Sequence, residues 1–134
     1  MKKTIRFSSD TCHLADVRRE ARAFLAGNGF DDCSTELMVL ALDEACTNVI
    51  RHAYALECKP VRLEMASLRR RVRFVLRDYG RACDPAKIKS RKLEDIRPGG
   101  LGVHIIKQAF DSVTYFPQPK GTRLILEKMR PAHA

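Results

Sequence analysis

Glu44 and Asn48 sit four residues apart inside LALDEACTNVIRHAY, residues 40–54, a stretch that is otherwise mostly apolar. Four residues is about one helical turn, so both side chains leave a helix on the same side. His52 continues that stripe by one more turn. Met38, Leu42, Cys46, Val49 and Ala53 give the helix a separate apolar side that a core can bury. An oxygen-bearing stripe suits Mg²⁺, a hard cation that takes a few protein oxygens together with phosphates. A carboxylate beside such a metal can act as a general base. Taken alone, a solvated helix face explains the stripe more simply.

Two further stretches carry chemistry of their own. In DYGRACDP, Asp78 to Pro85, a carboxylate at the end of a strand can accept a hydrogen bond from an exocyclic amine. Gly80 lets a ligand approach the backbone closely. An ordinary turn has the same composition. In RPGGLGVHI, Arg97 to Ile105, glycines open a helix. Backbone N–H groups and the helix dipole at such a start cradle phosphate; a flexible hinge is the competing reading. The dinucleotide-binding fingerprint is excluded, because Gly100-x-Gly102 is followed by Ile105 rather than glycine and no βαβ unit surrounds it. A P-loop is excluded because no Gly-Lys-Ser/Thr follows. A short KGT, Lys120 to Thr122, precedes the last strand and by itself is a loop.

The elements that must position these groups follow from the patterning. KTIRF alternates weakly, as an edge strand does. Ser9 or Asp10 can cap a first helix whose apolar side is Leu14, Val17, Ala21, Phe24 and Leu25, with Gly27 and Gly29 ending it. Asp32 or Ser34 caps the second helix, Glu36 favours its start, and the helix runs to about Tyr54. Two alternating segments from Pro60 and Val72, joined through Leu68–Arg71, predict a hairpin. Residues 81–100 form a long basic loop of the kind used as a lid. LGVHIIKQAF is a helix; SVTYF and TRLILEKM are strands separated by Pro117, Pro119 and Gly121. The order predicts an α+β two-layer α/β sandwich, a mixed, mainly antiparallel sheet covered on one face by helices.

The chain has 134 residues, which suits one domain spanning 1–134. A hydrophobic fraction of 45% is enough for a core, and the formal net charge of +9 suggests an anionic partner. Five cysteines, an odd number with no Cys-x-x-Cys pair, argue against a disulfide framework or a common zinc site. They suit reduced thiols in the cytoplasm. No signal peptide or membrane span is expected, and no helix-turn-helix, RNA-recognition or zinc-finger motif supports direct nucleic-acid binding.

Together, in this order and spacing, the three main stretches resemble the N, G1 and G2 boxes of the Bergerat-fold (GHKL-type) ATPases, with Gly121-Thr122 matching a fourth small motif. Within that superfamily, DEACTNVIRHAY and DYGRACDP look most like the bacterial anti-sigma-factor serine/threonine kinases, over roughly Ile5 to Glu127. The resemblance implies ATP and Mg²⁺ as cofactors. It implies that Asn48 coordinates Mg²⁺ and that Glu44 is the base for the attacking hydroxyl. His52 would lie near the phosphates. Asp78 would bind the adenine amino group, with Gly80 beneath the base and Thr122 nearby. Gly99, Gly100, Leu101 and Gly102 would lie along the phosphates. The implied partners are a STAS-domain anti-anti-sigma factor as phosphoacceptor, a sigma factor held by binding, and a second copy of the chain in a homodimer. Cys83 departs from the pattern, standing where relatives often carry a larger apolar or aromatic residue. The competing functions are a regulatory ATP-binding module without kinase activity and a detached histidine-kinase domain, which would need a phosphoacceptor helix.

Overall fold

Alternation of buried with half-buried or exposed residues makes the inner strands, and a three-to-four residue apolar repeat makes the helices. The computed structural model describes residues 2–8, 10–50, 59–80 and 101–131. Its elements are β1 (Lys2–Ser8), α1 (Leu14–Ala26), α2 (Asp32–Asn48), β2 (Pro60–Ser67), β3 (Arg71–Asp78), α3 (Leu101–Ala109), β4 (Ser112–Pro117) and β5 (Thr122–Met129). The strands form one sheet in the order β1-β2-β3-β5-β4. Each pairing is antiparallel, so the mainly antiparallel sheet of the sequence reading is antiparallel throughout the described strands.

The helices cover one face of the sheet. That face presents Val61, Leu63 and Met65 from β2, Val72, Phe74 and Leu76 from β3, and Leu124 and Leu126 from β5, all buried. Phe74 lies at the centre, edge-to-face with Phe24 of α1 and with Phe110 just after α3, each ring centroid 5.7 Å away. All five predicted apolar residues of α1 are buried, as are Met38, Leu42 and Cys46 of α2. The edge strand β1 carries Lys2, Lys3 and Arg6, charges that discourage pairing with another chain.

Two helix starts differ from the sequence reading. A 3-10 turn, Thr11–His13, leads into α1. Asp10 heads that turn, accepting from Cys12 N at 3.0 Å, while α1 begins at Leu14 with no side-chain cap. Ser9 lies outside the described residues. For α2 the cap is Asp31, one residue before the predicted Asp32. Its extended backbone aims Oδ1 at the Ser34 N–H, 2.7 Å away, so Ser34 is the donor rather than the cap. Glu36 reaches across to Arg22 at 2.8 Å, and Asp43 accepts from Arg18 at 2.7 Å. These pairs tie α1 to α2. Arg19 pairs with Asp16 of its own helix at 2.8 Å.

The α-helical part of α2 stops at Asn48 and continues as a wider π turn through Val49 and Ile50. Such turns are frequent at functional sites. The rest of the predicted helix, to Tyr54, lies outside the described residues.

Candidate functional site

The inward series of β3 runs Val72, Phe74, Leu76 and then Asp78, a carboxylate where the pattern calls for another apolar residue. Asp78 is only 5% exposed. Burial pushes its carboxyl above the usual aspartate range, opposed by hydrogen bonds from the Gly80 and Thr122 backbone N–H groups and by the Arg77 charge. The Gly80 bond is 3.1 Å long, to Oδ1. The inward series of β5 opens in the same way, with buried Thr122 ahead of Leu124 and Leu126. Val61 of β2 stands directly opposite Asp78. Three neighbouring strands therefore end in one row on the helix side, and that row holds a carboxylate and a hydroxyl.

Gly121 makes the row possible. Its φ of 83° is a conformation that glycine tolerates and other residues resist. A Cβ there would stand 2.5 Å from Asp78 Oδ1 and would collide with the Asp78 carbonyl oxygen. Behind the row, Arg77 donates to the Asp78 carbonyl and, at 2.9 Å, to the Lys120 carbonyl. Its guanidinium lies 4.3 Å from the centre of the Tyr79 ring. Sequence reasoning marked Gly121 only through the match of Gly121-Thr122 to a fourth small motif, and it missed Arg77, which braces this end of the strand from the outer face. The KGT stretch was visible, but nothing in its composition shows that its glycine presses on Asp78.

Glu44 and Asn48 lie on α2, both half-buried, on the side away from Met38, Leu42 and Cys46. The adjacent carboxylates Asp43 and Glu44 have different surroundings. Asp43 anchors α1 through Arg18, while no ion pair among the described residues engages Glu44. Leu37 and Leu40, 36% and 45% exposed, share the outward side of the helix with Glu44. α3 packs along α2, and it begins at Leu101 where the predicted phosphate glycines stand. Leu101 and Gly102 are thus the first residues of α3. His52, Gly99 and Gly100 lie outside the described residues, as does the predicted lid, 81–100.

Chemically, the sheet end offers a buried acceptor, a glycine backbone and a hydroxyl, a set that suits a purine carrying an exocyclic amine. The helix offers a carboxamide oxygen and a carboxylate, ligands suited to a hard divalent cation. The donor set fits a nucleotide with Mg²⁺.

An antiparallel sheet with this strand order and helices on one face defines the class, the Bergerat-type ATP-binding fold. A family model for the histidine kinase-like ATPase domain matches residues 7–128, and the chain belongs to that family. It is 29% identical over 104 residues to serine-protein kinase RsbW of Staphylococcus aureus, covering 70% of this chain and 64% of that protein. It is 30% identical over 83 residues to serine/threonine-protein kinase BtrW of Bordetella bronchiseptica, covering 58% of each. The chain therefore spans less than two thirds of the length of these curated relatives. Among solved structures, the RsbU and RsbW domains of Rv1364c from Mycobacterium tuberculosis align with a TM-score of 0.72 and 20% identity, over 98% of this chain and 34% of that one. The histidine kinase domain of a blue-light activated histidine kinase from Erythrobacter litoralis aligns with a TM-score of 0.59 and 15% identity, over 88% and 59%. These two likenesses bear on the fold. No helix among the described residues is long and apolar enough to cross a membrane.

Proposed function

We propose that this chain is an anti-sigma factor with protein serine/threonine kinase activity. It would act in the cytoplasm, phosphorylate a STAS-type anti-anti-sigma factor at the expense of ATP, and hold a sigma factor inactive by binding it as a homodimer. Membership of the histidine kinase-like ATPase family and similarity to proteins named serine-protein kinases support this reading. The observation that carries it is Asp78, a buried carboxylate ending an otherwise apolar inward series and pressed by Gly121.

In this reading Asp78 accepts a hydrogen bond from the adenine amino group. Gly80 gives the base room, and Thr122 completes the recognition set. The Gly99–Gly102 segment and the start of α3 hold the phosphates, with His52 near them. Asn48 holds Mg²⁺, which, when bound, neutralises phosphate charge and orients the nucleotide. Glu44 takes the proton from the acceptor hydroxyl as its oxygen bonds to the γ-phosphorus and the bond to the β,γ-bridging oxygen breaks, releasing ADP. Positioning and charge neutralisation do most of the work in such transfers. The presence of Glu44 favours a kinase over a module that only binds nucleotide, since binding alone requires no base.

The direct test is incubation of the protein with γ-labelled ATP, Mg²⁺ and the STAS proteins of the same genome. Label should pass to a serine or threonine of one of them. Retention of ATP binding with no label on any of them would leave the binding module as the correct function.

A further inference from the structure

The outer face of the sheet carries a feature that the nucleotide site does not use. Side chains alternate along each strand, so Asp78 and Thr122 face the helices while their neighbours Arg77 and Arg123 face away. Register places these arginines in a row. Arg6 pairs with Arg62, Arg62 with Arg77, Arg77 with Arg123, and Arg123 with Phe116. Arginines on four neighbouring strands thus stand side by side, spanning roughly 14 Å at about 4.8 Å per strand. Like charges directly opposite one another destabilise a sheet, so folding alone does not favour the row.

Among the described residues, little on the same face offsets it. Glu64 already meets Lys2 at 2.7 Å as well as Arg62 at 3.6 Å. Glu127 is held by Arg71 at 2.8 Å and Arg73 at 2.9 Å. Arg62 Nε is buried with no hydrogen-bond partner among the described residues, whereas buried donors nearly always have one. Arg6 and Arg123, at the two ends of the row, are exposed. The next row differs in character. Val75 and Ile125 face each other there, half-buried, forming a short apolar strip alongside the arginines.

The structure assigns this face to the docking of a partner-protein helix with an acidic stripe. Carboxylates at i and i+3 or i+4 on a helix have Cβ atoms about 5–6 Å apart, close to the strand spacing that separates the arginines. Apolar residues beside that stripe rest on Val75 and Ile125. A single-stranded nucleic acid fits less well. Its bases stack on successive open aromatic rings, whereas here the Tyr79 ring lies against Arg77 at 4.3 Å and Phe116, 40% exposed, is a single ring with Arg123 on one side at 5.2 Å. The surface lies behind the nucleotide site and does not depend on the kinase reading.

The test uses the full chain and a labelled synthetic helical peptide carrying one glutamate per turn flanked by leucines, followed by fluorescence anisotropy. The comparison probes are the same peptide with lysine for glutamate, a single-stranded oligonucleotide and phosphatidylserine vesicles. The wild-type protein should bind the glutamate peptide and not the lysine one. Replacing both exposed ends of the row, Arg6→Ser with Arg123→Ser, should weaken binding roughly tenfold. The melting temperature of that variant should stay level or rise, because like charges have been removed. The assignment is overturned if the wild type does not bind the glutamate peptide or the double variant binds it equally well. Tighter binding of the oligonucleotide or the vesicles also overturns it. So does a melting temperature several degrees lower, which would make the row structural.

Discussion

Asp78 and Glu44 are both carboxylates of the candidate site, and the fold holds them by different means. Asp78 is fixed by backbone. It ends a buried strand, takes hydrogen bonds from the Gly80 and Thr122 N–H groups, and has Gly121 pressed against it. Glu44 is half-buried on a helix that widens a few residues later, and no ion pair among the described residues engages it. The difference suits two tasks. A group that recognises a flat base gains from being rigid before the ligand arrives. A group that exchanges a proton must reach its partner and must not already be tied to a cation.

If this division is correct, substitutions in the two regions separate binding from transfer. Glu44→Ala should give the largest effect, a loss of phosphoryl transfer of about 10²–10⁴-fold with unchanged ATP affinity. A filter assay for transfer beside an equilibrium titration checks both halves, and undiminished transfer would remove Glu44 from the reaction. Gly121→Ala should act on both fold and binding. Its positive φ and the collision with Asp78 should cost about 1–3 kcal/mol in a urea melt, and ATP affinity should fall with it. A fully stable variant would mean that the sheet end is less rigid than the geometry indicates.

The smallest effect concerns pH. Burial raises the Asp78 pKa in the folded chain above its unfolded value. The folded state then keeps its proton longer, so this group's contribution to stability is highest at acid pH. It declines as the pH rises from the ordinary aspartate value through the raised one. Asp78→Asn removes that component. Comparing urea melts of the two proteins across the acidic range should show the wild type losing ground to the variant as pH rises, and parallel curves would contradict the burial account.

Much of this was legible beforehand where one local rule decides. The buried side of α1 follows from helical spacing alone, and the hairpin of β2 and β3 follows from alternation. The cap of α2 was misplaced by one residue because Asp31, Asp32 and Ser34 all have capping chemistry, and only the extended backbone of Asp31 selects it. The contact of Gly121 with Asp78 and the row Arg6–Arg62–Arg77–Arg123 could not be read in advance. Both depend on the register between strands far apart in the chain, which local composition does not encode. Glu44 and Asn48 were found by spacing, which fixes a shared helix face; the roles of base and metal ligand come from the resemblance, because spacing encodes no chemistry.

The central claim is that the buried end of β3 reads adenine. Calorimetric titration of ATP·Mg²⁺ into the wild type and Asp78→Asn tests it most directly. The asparagine keeps the shape, but its single oxygen must serve the Gly80 and Thr122 N–H groups, leaving an N–H₂ to face the adenine amine. Affinity should fall about 10–100-fold, with the variant still folded. Equal affinity in the two proteins would contradict the account.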